Sequence, residues 1–170
     1  MKNDVIYIIG LMGSGKTSVG RMLAKKTNKK FFDIDQIIIE KEQMSISEIF
    51  SQKNEKYFRD LEFSILEEMQ HNKNCVISTG GGIILREENI KIMKQTGYIV
   101  FLDITINTQL QRVRNKENRP LLKDGNIKES LKKLRDQRIK IYENISDIII
   151  DTSKNNQKII ADKIIKKLQL

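Results

Sequence analysis

Val5-Ile-Tyr-Ile-Ile9 runs without a break into Gly10-Leu-Met-Gly-Ser-Gly15-Lys16-Thr17. The first five residues are an apolar, β-branched run of strand length, and the next eight fit G-x-x-x-x-G-K-[ST]. Glycines let successive backbone N–H groups turn inward around phosphate oxygens. The helix that follows presents its positive N-terminus to the same anion. Lys16 has the reach to meet β- and γ-phosphates, and the Thr17 hydroxyl can ligate Mg²⁺. The plainer reading is a glycine turn with an incidental lysine, but a strand directly before and a helical pattern directly after make such a coincidence rare. The stretch therefore reads as a loop for ATP or GTP, with Gly13, Ser14, Gly15, Lys16, Thr17 and Ser18 around the phosphates.

Outward from this loop, short β-rich runs alternate with helical patterns. Lys30–Asp33, Cys75–Thr79, Tyr98–Ile104 and Asp147–Asp151 join Val5–Ile9 as strands, the first of them the weakest by pattern. Helices are expected over about 16–27, 36–42, 45–52, 55–71, 87–95, 108–114, 127–144 and 156–168. Ser45-Ile-Ser-Glu48 has the form of a capping box. Strands apolar on both faces, alternating with helices, imply an α/β fold with a parallel sheet covered on both sides. Ligands bind such sheets at the carboxyl ends of the strands. Residues 115–126 have no apolar period, carry the only proline, Pro120, and read as a mobile surface loop.

The 170 residues show no repeat and no Pro/Gly/Ser-rich linker, which argues for one domain over 1–170. No apolar run approaches the roughly 18 residues of a membrane span, and Val5–Ile9 is too short for the apolar core of a signal peptide. One cysteine, Cys75, rules out an intrachain disulfide, so a reducing cytoplasm fits best. The net charge of +9 is uneven: residues 1–104 carry 15 basic and 14 acidic side chains, residues 105–170 carry 16 and 8. Such a patch can mean nucleic acid or a polyanionic small ligand; compositional drift in an Ile-, Lys- and Asn-rich chain explains it equally well. Tyr142 is the only aromatic residue beyond Phe101, which argues against base stacking in that basic third.

Further residues carry chemistry. Asp33-Ile-Asp35 ends the second strand: one acid can hold a metal through water while the other accepts a hydroxyl proton, or the pair is a helix cap with a second acid complementing the dipole. In the helix at 55–71, Glu62 falls inside the apolar stripe Phe58, Leu61, Ile65, Leu66 and Met69, with Arg59 at its edge. A buried charge needs a partner, which is either an internal Arg59–Glu62 pair or a ligand met by Arg59 in the cleft. Gly80-Gly81-Gly82 follows the third strand, where close ligand approach or positive φ would demand glycine. Arg138 lies at the centre of the stripe Ile127, Leu131, Leu134, Ile141 and Tyr142 and calls for an anion, whether internal carboxylate or bound ligand. Arg119-Pro120 in the loop is a solvated charge or a stabiliser of the γ-phosphate. Cys75 reads as inert core, and His71 as a helix-end residue complementing the dipole. One His and one Cys make no zinc site.

In order along the chain, Gly10–Thr17, Phe32-Asp33-Ile-Asp35, Phe58-Arg59, Gly80-Gly81-Gly82, Arg119-Pro120-Leu121-Leu122, Arg138 with Tyr142, and Asp151-Thr152 resemble the shikimate kinase family. The resemblance implies a P-loop, three-layer fold like that of the nucleoside monophosphate kinases, with a five-stranded parallel sheet in order 2-3-1-4-5 and a closing lid at about 115–126. It implies transfer of the ATP γ-phosphate to the 3-hydroxyl of shikimate, in aromatic amino acid biosynthesis. Lys16, Asp35 and Arg119 would be catalytic. Asp35, Arg59, Gly81, Gly82 and Arg138 would hold shikimate, with the two arginines on its carboxylate, and Phe50, Phe58 and Glu62 would line the pocket. Thr17 and Asp33 would serve Mg²⁺, Arg119 the phosphates and Arg112 the adenine. The departure lies after the last strand, in Thr152-Ser-Lys-Asn-Asn156. The family often has an arginine and a proline there; this chain has Asn155 and Gln157, and Asn155 is the residue expected at the base. The implied enzyme is a cytoplasmic monomer with neither nucleic acid nor membrane as a partner. A related small-molecule kinase, such as a gluconate kinase, would share the loop and lid but has no need of two carboxylate-facing arginines.

Overall fold

A computed structural model describes residues 4–114 and 126–170, so Arg119 and nearly all of the expected lid lie outside the described residues. Strands β1 (Val5–Ile9), β2 (Lys30–Asp33), β3 (Cys75–Ser78), β4 (Gly97–Asp103) and β5 (Ile148–Asp151) form one sheet in order β2-β3-β1-β4-β5, all neighbours parallel. The weakly patterned β2 is an edge strand, which explains its poorer apolar run. Eight helices connect and flank the strands among the described residues: α1 (Lys16–Thr27), α2 (Ile34–Glu42), α3 (Ile46–Gln52), α4 (Glu55–Met69), α5 (Glu87–Thr96), α6 (Ile106–Arg114), α7 (Ile127–Ile145) and α8 (Gln157–Leu168). A 3₁₀ turn over Ile83–Leu85, not expected from the sequence, follows Gly82.

The strand period of two divides the core. Val5, Tyr7 and Ile9 of β1, with Cys75, Ile77, Ile99 and Phe101, pack against α2, α3, α4, α5 and α7. Ile6 and Ile8, with Val76, Val100 and Leu102, pack against α1 and α8. This is why β1 is buried along its whole length and reads as a continuous apolar run. Burial pushes the Cys75 thiol up to about 11, which keeps it a protonated core group. Among the described residues no helix is long and apolar enough to cross a membrane.

Two local features position the site. The capping box forms: the Ser45 Oγ accepts from the Glu48 N–H at 3.2 Å, and Glu48 Oε2 accepts from the Ser45 N–H at 2.7 Å. Asn54 caps α4 at φ 87, and its Oδ1 accepts from the Tyr57 N–H at 3.0 Å. With ψ 168 this is extended backbone at positive φ, a region left almost entirely to glycine, and the sharp turn it makes launches α4, which carries Arg59 and Glu62. That helix ends at Met69 with tightened turns, Gln70 N–H to Glu67 O and Asn72 N–H to Met69 O. His71 is therefore in the turn beyond the helix, not at its last turn as the sequence suggested.

Candidate active site

The carboxyl ends of β1, β2 and β3 open, with α6, α7 and the start of α8, into one cleft of about 1110 Å³. A pocket for a single small ligand spans about 300–1,000 Å³, and this cleft is slightly larger than that range. The loop after β1 forms its floor. Gly13 and Gly15 sit at φ 79 and 93, where a Cβ would be strained. The Lys16 Nζ donates back to the carbonyls of Gly10 at 2.9 Å and Leu11 at 3.2 Å. Ser14 is fully buried, and Gly13 to Ser18 all line the cleft.

Helix α6 holds this floor from outside. Gln109 Nε2 donates to Met12 O at 2.9 Å, and Arg112 Nη1 donates to Gly13 O at 3.2 Å. A trans peptide points its C=O and N–H in opposite directions, so tethering these two carbonyls to α6 turns the next N–H groups away from it. Arg112 Nη2 also donates to Thr152 O at 2.8 Å, tying the loop to the end of β5, near which Asn155 lines the cleft. Gln109 was missed by the sequence reading. Nothing in the helical period distinguishes it from a surface glutamine, yet it has no exposed surface.

Asp33 is the helix cap of the plainer reading, and it also meets the phosphate loop. Its Oδ1 accepts from the Gln36 N–H at 3.4 Å as the cap of α2, while Oδ2 accepts from the Thr17 hydroxyl at 2.7 Å. A hydroxyl and a carboxylate side by side next to the phosphate loop are hard oxygen donors of the kind Mg²⁺ takes together with water and phosphate.

The same cleft is also lined by Asp35, Phe50, Phe58, Arg59, Glu62, Gly81, Gly82 and Arg138. Arg59 Nη1 pairs with Glu62 Oε2 at 2.5 Å, and Nε and Nη2 pair with Glu55 Oε1 at 3.2 and 2.8 Å. The Glu55 partner had not been foreseen, although its i, i+4 spacing signals it. The guanidinium also lies over the rings of Phe58 and Phe50, 5.2 and 6.0 Å from their centroids. Glu62 has no exposed surface, and burial pushes its carboxyl up to about 7. Arg59 pulls it down, Asp35 pushes it further up and Arg138 pulls it down, but desolvation prevails.

The glycine triplet has a physical reason other than positive φ, which none of the three adopts. A Cβ on Gly80 would lie 2.3 Å from Glu62 Oε1, and one on Gly82 would lie 2.3 Å from Arg59 Nη1. The missing side chains make room for this chain's own charged groups. Arg138, 6% exposed, donates from Nη1 to Gly81 O at 3.1 Å, and its Nε is buried without a hydrogen-bond partner. Among the described residues no carboxylate lies within ion-pair distance of it.

Comparison with known proteins decides the family. The family model for shikimate kinase matches residues 12–169. The shikimate kinase of Sulfurihydrogenibium sp. (strain YO3AOP1) is 43% identical over 169 residues, which is 99% of each chain. The chain belongs to the shikimate kinase family. Among solved shikimate kinases, that of Acinetobacter baumannii in complex with shikimate superposes with a TM-score of 0.95 at 35% identity, covering 98% of this chain and 93% of that one. That of Aquifex aeolicus superposes with a TM-score of 0.84 at 38% identity, covering 97% and 96%. The sheet order expected from the resemblance is the order observed. Shikimate kinases are phosphotransferases that use ATP as co-substrate.

Proposed function

We propose that this chain transfers the γ-phosphate of ATP to the 3-hydroxyl of shikimate, giving shikimate 3-phosphate and ADP, as a step of aromatic amino acid biosynthesis. The observation that carries the reading is Arg138: a buried guanidinium with an unpartnered Nε, facing the same cleft as the phosphate loop. A guanidinium so placed is suited to a carboxylate. Arg59 joins it from α4, and the Gly81 and Gly82 backbone, Phe50, Phe58 and Glu62 complete the pocket. Asp35 takes the proton of the 3-hydroxyl as that oxygen bonds to the γ-phosphorus and the bond to the ADP oxygen breaks. Lys16 neutralises charge on the transferring group, as Arg119 does from the lid at about 115–126. Arg112 and Asn155 contact the adenine. Thr17 and Asp33 would hold Mg²⁺, which would neutralise charge on the β- and γ-phosphates. The same reading makes the chain a single kinase domain, active as a monomer in the cytoplasm without nucleic acid or membrane as partner.

A coupled assay of ADP release over shikimate, gluconate and nucleoside monophosphates tests it. Shikimate alone should drive ADP release, and only with Mg²⁺ present. Turnover with gluconate or a nucleoside monophosphate instead would replace the substrate, and none with any of the three would remove the kinase reading.

A further inference from the structure

The carbonyl oxygen of Gly81 accepts two hydrogen bonds from α7, one from the Tyr142 hydroxyl at 2.5 Å and one from Arg138 Nη1 at 3.1 Å. Residues four apart share a helix face, and a carbonyl has two lone pairs. The two donors differ in freedom. Tyr142 has no exposed surface, and its ring stacks on Phe101 of β4 with centroids 4.9 Å apart and planes 11° apart. Its hydroxyl is therefore held in place, and burial raises the phenol above its usual range, so that it stays a protonated donor. Arg138 has a long side chain whose direction must be imposed. With Nη1 tied to Gly81, the remaining edge of the guanidinium carries the buried, unpartnered Nε–H.

We propose that Tyr142 is a positioning residue for the acidic substrate. Its hydroxyl pins the Gly81 carbonyl, the pinned carbonyl holds Arg138 through Nη1, and the Nε–H edge of Arg138 thereby meets the substrate carboxylate at a set angle. The inference rests on the shikimate reading above. Preorganisation of this kind shows in affinity, because a free guanidinium must be ordered at the moment of binding. Gly81 also lies close to the phosphate-loop backbone, since a Cβ on it would be 3.5 Å from Gly10 O and 3.8 Å from Met12 N.

Tyr142→Phe keeps the ring and the Phe101 stack and removes one hydroxyl. Its dissociation constant for shikimate by calorimetry, and its KM for shikimate, should rise about tenfold, the scale of one lost hydrogen bond. The turnover number and the KM for ATP should stay within about twofold, by the same comparison. The methyl ester of shikimate, which lacks the charge, should bind both proteins equally. In an Arg138→Lys background, which keeps the charge but not the guanidinium, Tyr142→Phe should change shikimate affinity less than about twofold. Unchanged shikimate affinity would overturn the proposal. So would a parallel loss of shikimate affinity, ATP affinity and melting temperature, which a merely structural hydroxyl would produce, or an undiminished effect without Arg138. Wild-type protein that bound no shikimate would instead overturn the substrate reading.

Discussion

Glu62 is a carboxyl group with no contact with water, and the consequence is a pH dependence of known sign. Its pKa is about 7 in the folded protein against an ordinary 4.5, with burial as the largest cause. Between these values the folded chain keeps a proton that the unfolded chain has released, so stability falls as pH rises through that window and levels off above it. The shift corresponds to about 3 kcal/mol. Urea melts at pH 4 and pH 8 should show Glu62→Gln losing about that much less than wild type between the two; equal losses would mean that Arg59 holds Glu62 charged throughout. Lys16 carries the other decisive charge. Lys16→Met should lower turnover at least about a hundredfold, the ~3 kcal/mol of an electrostatic group acting on a transition state. Its circular dichroism should stay unchanged, since the two carbonyls Lys16 bonds, those of Gly10 and Leu11, lie in the loop and not in a helix or strand, and near-normal turnover would contradict the kinase assignment.

At the scale of elements, α6 turns Gln109 and Arg112 toward the phosphate loop while Asn107 and Gln111 stay exposed. Gln109 and Arg112 each hold a carbonyl of the phosphate loop, and Arg112 also bonds the end of β5. The helix leads directly into the segment expected to close over the nucleotide, so the loop, β5 and the root of that segment share one side chain. Arg112→Ala should raise the KM for ATP about tenfold, in line with a lost charge-assisted hydrogen bond, and leave the KM for shikimate within about twofold. Steady-state kinetics with each substrate varied in turn reads the split, and equal damage to both would mean that α6 shapes the whole cleft.

For the whole molecule, ligand-linked stability separates a binding arginine from a structural one. Arg138 has no ion-pair partner among the described residues, and Gly81 O keeps the Tyr142 hydroxyl if Arg138 is removed. Arg138→Leu should therefore cost the unliganded fold no more than about 1 kcal/mol, where breaking a buried ion pair costs about 3–5. Shikimate at a hundredfold excess over its dissociation constant should stabilise wild type by about 2.7 kcal/mol and leave Arg138→Leu unchanged. Thermal melts of both proteins with and without shikimate measure it. A variant strongly destabilised on its own and still stabilised by shikimate would make Arg138 a structural residue.

The sequence by itself determined the features whose causes are local. The apolar run Val5–Ile9 entering a glycine loop and a lysine, the capping box at Ser45 and Glu48, and the doubly apolar strands all follow from spacings of two, three or four residues. The i, i+4 pair of Arg59 and Glu55 belongs with them, though it went unread. The strand order came only through family likeness, since no local spacing encodes which strands are neighbours. Tertiary structure alone decided what the buried charges and glycines are for. Gly80 and Gly82 make room for Glu62 and Arg59 of another element. Arg138 is tied to a carbonyl 57 residues away in the chain, not to a carboxylate, and Gln109 to one 97 residues away. Such partners meet only because the parallel sheet gathers the carboxyl ends of its strands at one edge. The chain's own periodicity shows that a polar group is buried, while the group that satisfies it is chosen by topology.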